Sequence, residues 1–263
     1  MGFSTAMMSG VSGLLSNSEA ISVIGNNIAN ANTVGFKSGR TLFSSMFSES
    51  AAAKDSQVGL GVQISAVENQ FTQGTLLNSA SASDIAINGN GFFVVQSNSA
   101  TPTTYYTRAG VFNPDENKTY LVNPKGARLC DSAGTPIDLS TLAGFTSISR
   151  INQDGTISYL ATNGLEQTSA TKVGIASFLN PTGLEKAGDN LYRATLFTEG
   201  SGAATVAAPD QGNKIYSYSL EESNVDMASQ MVNMITTQRA YSANSKTIMT
   251  SDEMAKTVIS LKR

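Results

Sequence analysis

The sequence predicts a mixed α and β fold, mainly β, in which discontinuous terminal coiled-coil helices bracket an all-β domain. Two observations carry this. Apolar residues recur every seven positions at both ends of the 263-residue chain. Between them the chain breaks into short β-branched and aromatic runs separated by turn residues, with no alternating helices.

In the first segment Met7, Leu14, Ile21 and Ile28 repeat at seven-residue intervals, with Val11 and Ile24 filling the places between. That is a single apolar stripe of coiled-coil type. The opposite face is Ser, Asn and Gly, and Glu19 is the only charge before Lys37. Gly10, Gly13 and Gly25 each weaken the helix by up to about 1 kcal/mol relative to Ala, so it is marginal alone. The pattern stops in Asn30-Ala31-Asn32-Thr33-Val34-Gly35, where Gly35 suits a left-handed turn.

From Val58 to Leu220 the expected strands include Ile85-Ala86-Ile87, Phe92-Phe93-Val94-Val95, Tyr105-Tyr106-Thr107, Tyr120-Leu121-Val122 and Val173-Gly174-Ile175. Asp154-Gly155 joins Ile148–Ile151 to Ile157–Leu160 as a hairpin. Residues 44–57 and 199–213 are Ala/Ser/Gly-rich and read as loops. At the other end Ser223-Asn224-Val225-Asp226 has capping-box spacing. Met227, Met234, Tyr241, Ile248 and Ala255 then repeat every seven residues, with Met231, Ile235, Val258 and Ile259 widening the face. Asp252 and Lys256 form an i,i+4 pair. The expected domains are residues 1–38 with 222–263, helical, and 39–221, β-rich.

Composition excludes several functions. The chain has no His and one Cys, so it offers no His general base, no Ser-His-Asp triad and no CxxC site. Its net charge of −3 gives no field for phosphate backbones, and no nucleic acid is expected. No apolar run reaches a membrane span, and the start lacks a secretory signal; these signals alone would place the chain in the cytoplasm. Charged residues are only 14% of the total, against roughly 25% in ordinary soluble domains. A surface so weakly charged suits association with other chains.

Local motifs read mostly as structure. Gly89-Asn90-Gly91 precedes a strand rather than a helix, so it is a turn and not a nucleotide loop. Gly59-Leu60-Gly61 reads as a strand with close backbone approach, and the Asn117-Lys118-Thr119 sequon as a turn. Cys130 is expected to be a buried small side chain. Asp115-Glu116 and Glu221-Glu222 are expected to be solvated carboxylates. The methionines Met227, Met231, Met234, Met249 and Met254 suit either core packing or adaptable contacts between copies. Arg239, beside the stripe, either bridges to a neighbour or is solvated. Catalytic, cofactor and metal sites are expected to be absent, and the chain is expected not to be an enzyme.

Four stretches carry a resemblance. Ile24-Gly25-Asn26-Asn27-Ile28-Ala29-Asn30, running on to Gly35-Phe36-Lys37, closely resembles the N-terminal signature of the bacterial flagellar rod and hook proteins. Asp84-Ile85-Ala86-Ile87 with Gly89, Gly91, Phe92 and Phe93 is similar to their central β motif. Tyr106-Thr107-Arg108 with Gly110 and Phe112 follows. Ser223-Asn224-Val225-Asp226, Met231-Val232, Met234-Ile235, Gln238-Arg239-Ala240-Tyr241 and Asn244-Ser245-Lys246 resemble the C-terminal signature. Asn26, Asn27, Asn30, Gly35, Phe36, Asn224 and Arg239 are the motif positions singled out.

The resemblance implies a subunit of the flagellar axial structure, with terminal helices forming an inner tube inside a β shell. It implies export through the flagellar type III apparatus without a cleaved signal. Partners would be many copies of the chain in a helical polymer, neighbouring rod, hook-cap and junction proteins, and an export chaperone or apparatus, with no membrane insertion. The assembly interface would be Met7, Val11, Leu14, Ile21, Ile24, Ile28, Met227, Met231, Met234, Ile235, Tyr241, Ile248 and Val258. Burial of the stripes between copies is the expectation; the remote alternative is pairing within one molecule, as in a secreted β-domain enzyme or binding module.

Within the family, Met1-Gly2-Phe3-Ser4, the Lys37-Ser38-Gly39 turn and Phe71-Thr72-Gln73-Gly74-Thr75 resemble the hook branch. So does the short path from Phe47 to Val58, where the distal-rod branch carries a longer insertion. The length is rod-like, and many hook proteins carry an additional outer domain. The expectation is a short hook subunit forming a flexible torque-transmitting joint, with a distal-rod subunit in a rigid drive shaft as the alternative.

Overall fold

The computed structural model describes residues 2–48, 58–99, 101–195, 198, 205–209 and 212–261. The chain forms two long helices and a middle built of strands, and divides into two compact units. One comprises Met1–Ala31, Ser38–Gln70 and Val225–Arg263; the other comprises Asn32–Lys37 and Phe71–Asn224. The expected β domain began at residue 39. Residues 38–70 instead group with the helices.

The helical unit contains α1 (Gly2–Ala29), β1 (Gly39–Ser48), β2 (Val58–Asn69) and α2 (Met227–Leu261). Strand β1 pairs antiparallel with β2 from Gly39 opposite Asn69 to Ser48 opposite Val58, so residues 44–48 are strand rather than the expected loop. Residues 49–57 and most of 199–213 lie outside the described residues, although 205–207 form a strand. Register shifts occur between Leu42 and Phe43 and between Met46 and Phe47. Opposite the second shift Leu60 is the extra residue of a bulge, a device that re-aims a side chain.

The two helices are antiparallel: a Cβ at Gly13 would meet the Asn244 side chain, and Asn27 Nδ2 donates to Gln230 Oε1 at 3.2 Å. A Cβ at Gly10 would lie 3.0 Å from Ile248 Cγ1. The buried residues of α1 are Gly10, Gly13, Ser16, Ala20 and Asn27. The packed face is therefore the small, polar one, and the predicted stripe is displaced from it. Small residues let backbone and helix approach closely, whereas the β-branched and Met residues of the stripe would hold them apart. Ser16 Oγ donates to Val62 O, and Ser12 Oγ accepts from Val62 N–H.

Helix α2 is capped by Asp226, whose carboxylate accepts from Ala228 N–H at 3.1 Å. The predicted Ser223 box is replaced by this later cap. Along α2 the hydroxyls turn back onto their own helix: Thr236 and Thr237 donate to Asn233 O, Thr247 to Ala243 O, Thr257 to Glu253 O and Ser260 to Thr257 O. The expected Lys256–Asp252 ion pair is present at 2.6 Å.

The second unit is built on a nine-stranded sheet. Strands β3 (Leu76–Asn78) and β4 (Ile85–Asn88) precede its centre, β5 (Phe92–Gln96) and β6 (Thr104–Thr107). Short strands β7 (Asn113–Pro114), β8 (Leu121–Val122) and β9 (Arg128–Leu129) follow. A separate three-stranded sheet holds β10 (Phe145–Ile151), β11 (Thr156–Ala161) and β12 (Glu166–Lys172). The main sheet is completed by β13 (Ile175–Ser177), β14 (Glu185–Gly188), β15 (Leu191–Arg193) and β16 (Thr205–Ala207). Finally β17 (Lys214–Ser217) pairs with β4, and β18 (Ser219–Glu221) with β3. The predicted run Val173-Gly174-Ile175 is split: Gly174 packs against the Asp131 carbonyl, and only Ile175 enters β13.

Strand β5 explains the core. Alternate side chains point to opposite faces, and its apolar run is buried on both. Phe93 and Val95 join Ile85, Ile87, Phe112, Leu129 and Ile215; Phe92 and Val94 join Tyr106, Cys130, Leu184 and Tyr192. Phe71 packs edge-on against Phe92 and Tyr192, each at 5.3 Å. Cys130 is buried as expected, and burial pushes its thiol up to about 12. Asn117-Lys118-Thr119 is an exposed turn, with Lys118 at φ 53°.

Gly110 marks the tightest approach. Its carbonyl accepts from Ile85 N–H at 3.0 Å, and a Cβ there would overlap the Ile85 carbonyl oxygen. Gly110→Ala is expected to push β4 away and cost about 1–3 kcal/mol, the range of an overpacked interior, read as a lower urea midpoint.

Candidate functional site

Three segments far apart in sequence meet at one buried carboxylate. Glu221 ends β18, and its side chain is 0% exposed, contrary to the expected solvated carboxylate. Its Oε1 accepts from Lys37 Nζ at 2.6 Å and from Gly74 N–H at 2.9 Å; its Oε2 accepts from Arg108 Nη1 at 3.2 Å. Lys37 Nζ also donates to Thr72 O at 2.7 Å, and Arg108 Nη2 to Gly89 O at 2.8 Å. The Arg108 guanidinium lies 4.9 Å from the Phe92 ring centre, a cation–π distance. Its Nε has no hydrogen-bond partner among the described residues.

Two cations thus share one anion out of reach of water. Burial lowers the Lys37 ammonium and the Arg108 guanidinium below their ordinary ranges, and the Glu221 charge offsets part of the effect. Both carboxylate oxygens are engaged by donors from separate chain segments. The arrangement fastens chain segments. Lys37, Thr72 with Gly74, and Glu221 all lie beside points where the chain passes between its two units.

The motif residues around the triad are backbone organisers. Gly35, at φ +68°, donates its N–H to Glu221 O at 2.7 Å, and a Cβ would strike the Arg108–Ala109 backbone. Phe36 is buried, with Lys186 Nζ 5.2 Å above its ring. Asn224 Nδ2 donates to Thr72 Oγ1 at 2.9 Å. In the helical unit Asn27 bonds both the N–H and C=O of Gly39, each at 2.8 Å, substituting for a strand partner. Asn30 Nδ2 donates to Asn26 O. Arg239 is exposed and has no ion pair among the described residues.

The predicted interface residues lie in the helical unit, most of them uncovered in the lone chain. Met7 and Val11 are each 42% exposed, Met231 and Ile235 each 52%, and Val258 67%. Met227 and Tyr241 are also exposed, while Leu14, Ile21, Ile24, Ile28, Met234 and Ile248 are half-buried. Sequence reasoning missed Met8, Leu15, Met46 and the neighbouring Phe43 and Phe47, all exposed. Met8 and Leu15 each stand next to a stripe residue in sequence, which is the signal that could have found them. No described helix is long and apolar enough to cross a membrane.

Three family models match the chain. "Flagella basal body rod protein" covers residues 7–37, "Flagellar hook protein FlgE/F/G D1 domain" covers 86–159, and "Flagellar basal body rod FlgEFG protein C-terminal" covers 216–261. Each contributes one member of the ion triad. The chain is 35% identical to flagellar basal-body rod protein FlgG of Bacillus subtilis (strain 168), over 98% of this chain and 99% of that protein. It is 36% identical to the FlgG of Agrobacterium fabrum, over 90% and 92%. Flagellar hook protein FlgE of Borreliella burgdorferi is 39% identical, over 45% of this chain and 28% of that protein. With a likeness that runs from end to end and through every block of the triad, the chain belongs to the bacterial flagellar rod and hook protein family, the structural proteins of the flagellar axis.

Proposed function

We propose that this chain is a distal-rod subunit, polymerising with copies of itself and with adjoining axial proteins into the straight shaft below the hook. One observation carries the choice over the expected hook subunit: similarity to rod proteins spans both chains almost completely, whereas the hook relative shares only 28% of its own length. The short connection between Phe47 and Val58, which favoured the hook branch, is a single local feature and is outweighed. Self-assembly draws support from the helical unit, whose large exposed apolar residues lie on both helices and the hairpin. Patches of this kind on a soluble chain mark surfaces meant for other proteins.

Gold-labelled antibody on isolated hook–basal bodies tests the reading. Label is expected on the straight shaft within the cell envelope. Label on the curved external hook overturns the rod assignment and restores the hook one.

A further inference from the structure

Resting on the polymer reading above, we infer that the cleft between α1 and the β1–β2 hairpin is the seat for the tip of α2 from a second copy of this chain. The cleft has a volume of about 450 Å³ and is lined by Met7, Met8, Val11, Leu15, Met46 and the bulged Leu60. Met8 and Leu15 are 64% and 66% exposed, so the lone chain leaves it open. A second cleft continues it past Ser12 and Leu15 to Glu19, the one charge on α1. Glu19 has no ion pair among the described residues.

The occupant follows from the register of the helix pair. With Gly13 level with Asn244 and Asn27 with Gln230, the start of α1 at Gly2 falls level with Ala255. Residues 256–261 therefore lie beyond the level of Gly2 by about 9 Å, at roughly 1.5 Å per residue. This overhang carries Val258, Ile259 and Leu261, exposed by 67%, 71% and 80%. Met254, Val258 and Leu261 have the i, i+4, i+7 spacing of a helix that lies in an apolar groove. Lys262 and Arg263 follow in sequence, complementing the carboxylate at the far end of the cleft. A tip seated in the cleft of the next copy is a heterologous contact, which propagates as an open helical array instead of closing.

Cells expressing Leu15→Cys and Val258→Cys copies together provide the test, with mild oxidation of isolated basal bodies and non-reducing electrophoresis. Cys130 stays silent because it is buried with its thiol pushed up to about 12. A disulfide needs the two Cα atoms within about 7 Å. A cross-linked dimer is expected from the mixture and from neither variant alone. Basal bodies that contain both variants without the dimer overturn the proposal and leave the polymer reading standing. A dimer from either variant alone, or a cross-link to a different axial protein, also overturns it. Absence of even the unaltered chain from basal bodies defeats both. Should the cysteine variants fail to enter, Glu19→Lys is expected to lower incorporation, and Lys262→Glu with Arg263→Glu to restore it; no restoration overturns the proposal.

Discussion

Glu221→Gln is expected to cost the chain about 3–5 kcal/mol, the range for leaving buried charge uncompensated. The substitution keeps the shape but strands Lys37 and Arg108, whose side chains are 0% and 1% exposed, without an anion. Lys37→Met is expected to lose less, about 1–3 kcal/mol, the cost of removing a buried donor from Glu221 and from the Thr72 carbonyl, which keeps its 3.3 Å bond from Asn224 Nδ2. It leaves Arg108 and Glu221 as a balanced pair. Urea unfolding of the purified chain reads both, as midpoints that shift at constant slope. An equal loss in the two variants would show that packing, rather than charge balance, governs the cluster.

The second large effect falls on assembly. Met231→Asp with Ile235→Asp places two charges one turn apart on α2, where both wild-type side chains are 52% exposed. The lone chain is expected to lose no more than about 1 kcal/mol, from the poorer helix propensity of Asp. Incorporation into basal bodies is expected to be abolished, because each copy would have to bury two unpaired carboxylates. Urea unfolding and immunoblots of isolated basal bodies measure the two quantities separately. Normal incorporation would remove this face of α2 from the assembly surface.

These outcomes also mark what could be read from sequence. The two helices were legible because their repeats are long, and β5 because Phe92–Val95 is an unbroken apolar run. The packed face of α1 was not. Heptad reasoning follows the largest apolar side chains, whereas the seam is made by Gly10, Gly13, Ser16, Ala20 and Asn27, whose value is closeness. The hairpin was assigned to the wrong unit because strand pattern says nothing about what a sheet packs on. Glu221 was hidden for a different reason. Beside Glu222 it reads as a solvated pair, and its partners Lys37 and Arg108 come from the opposite end and the middle of the chain. The Gly35 N–H on the Glu221 carbonyl brings the Lys37 segment there, and β18 pairs with β3 beside the Gly74 N–H.

The hydroxyls folded back onto α2 have a thermal consequence. Thr237, Thr247 and Thr257 already donate to carbonyls of their own helix, so stripping water from these hydroxyls leaves their donors satisfied. In the proposed polymer, association is then driven chiefly by the release of water from methionine and aliphatic surface, a force that fades toward the freezing point. The proposed shaft, held this way, is expected to tighten as a culture warms and to be at its loosest in the cold.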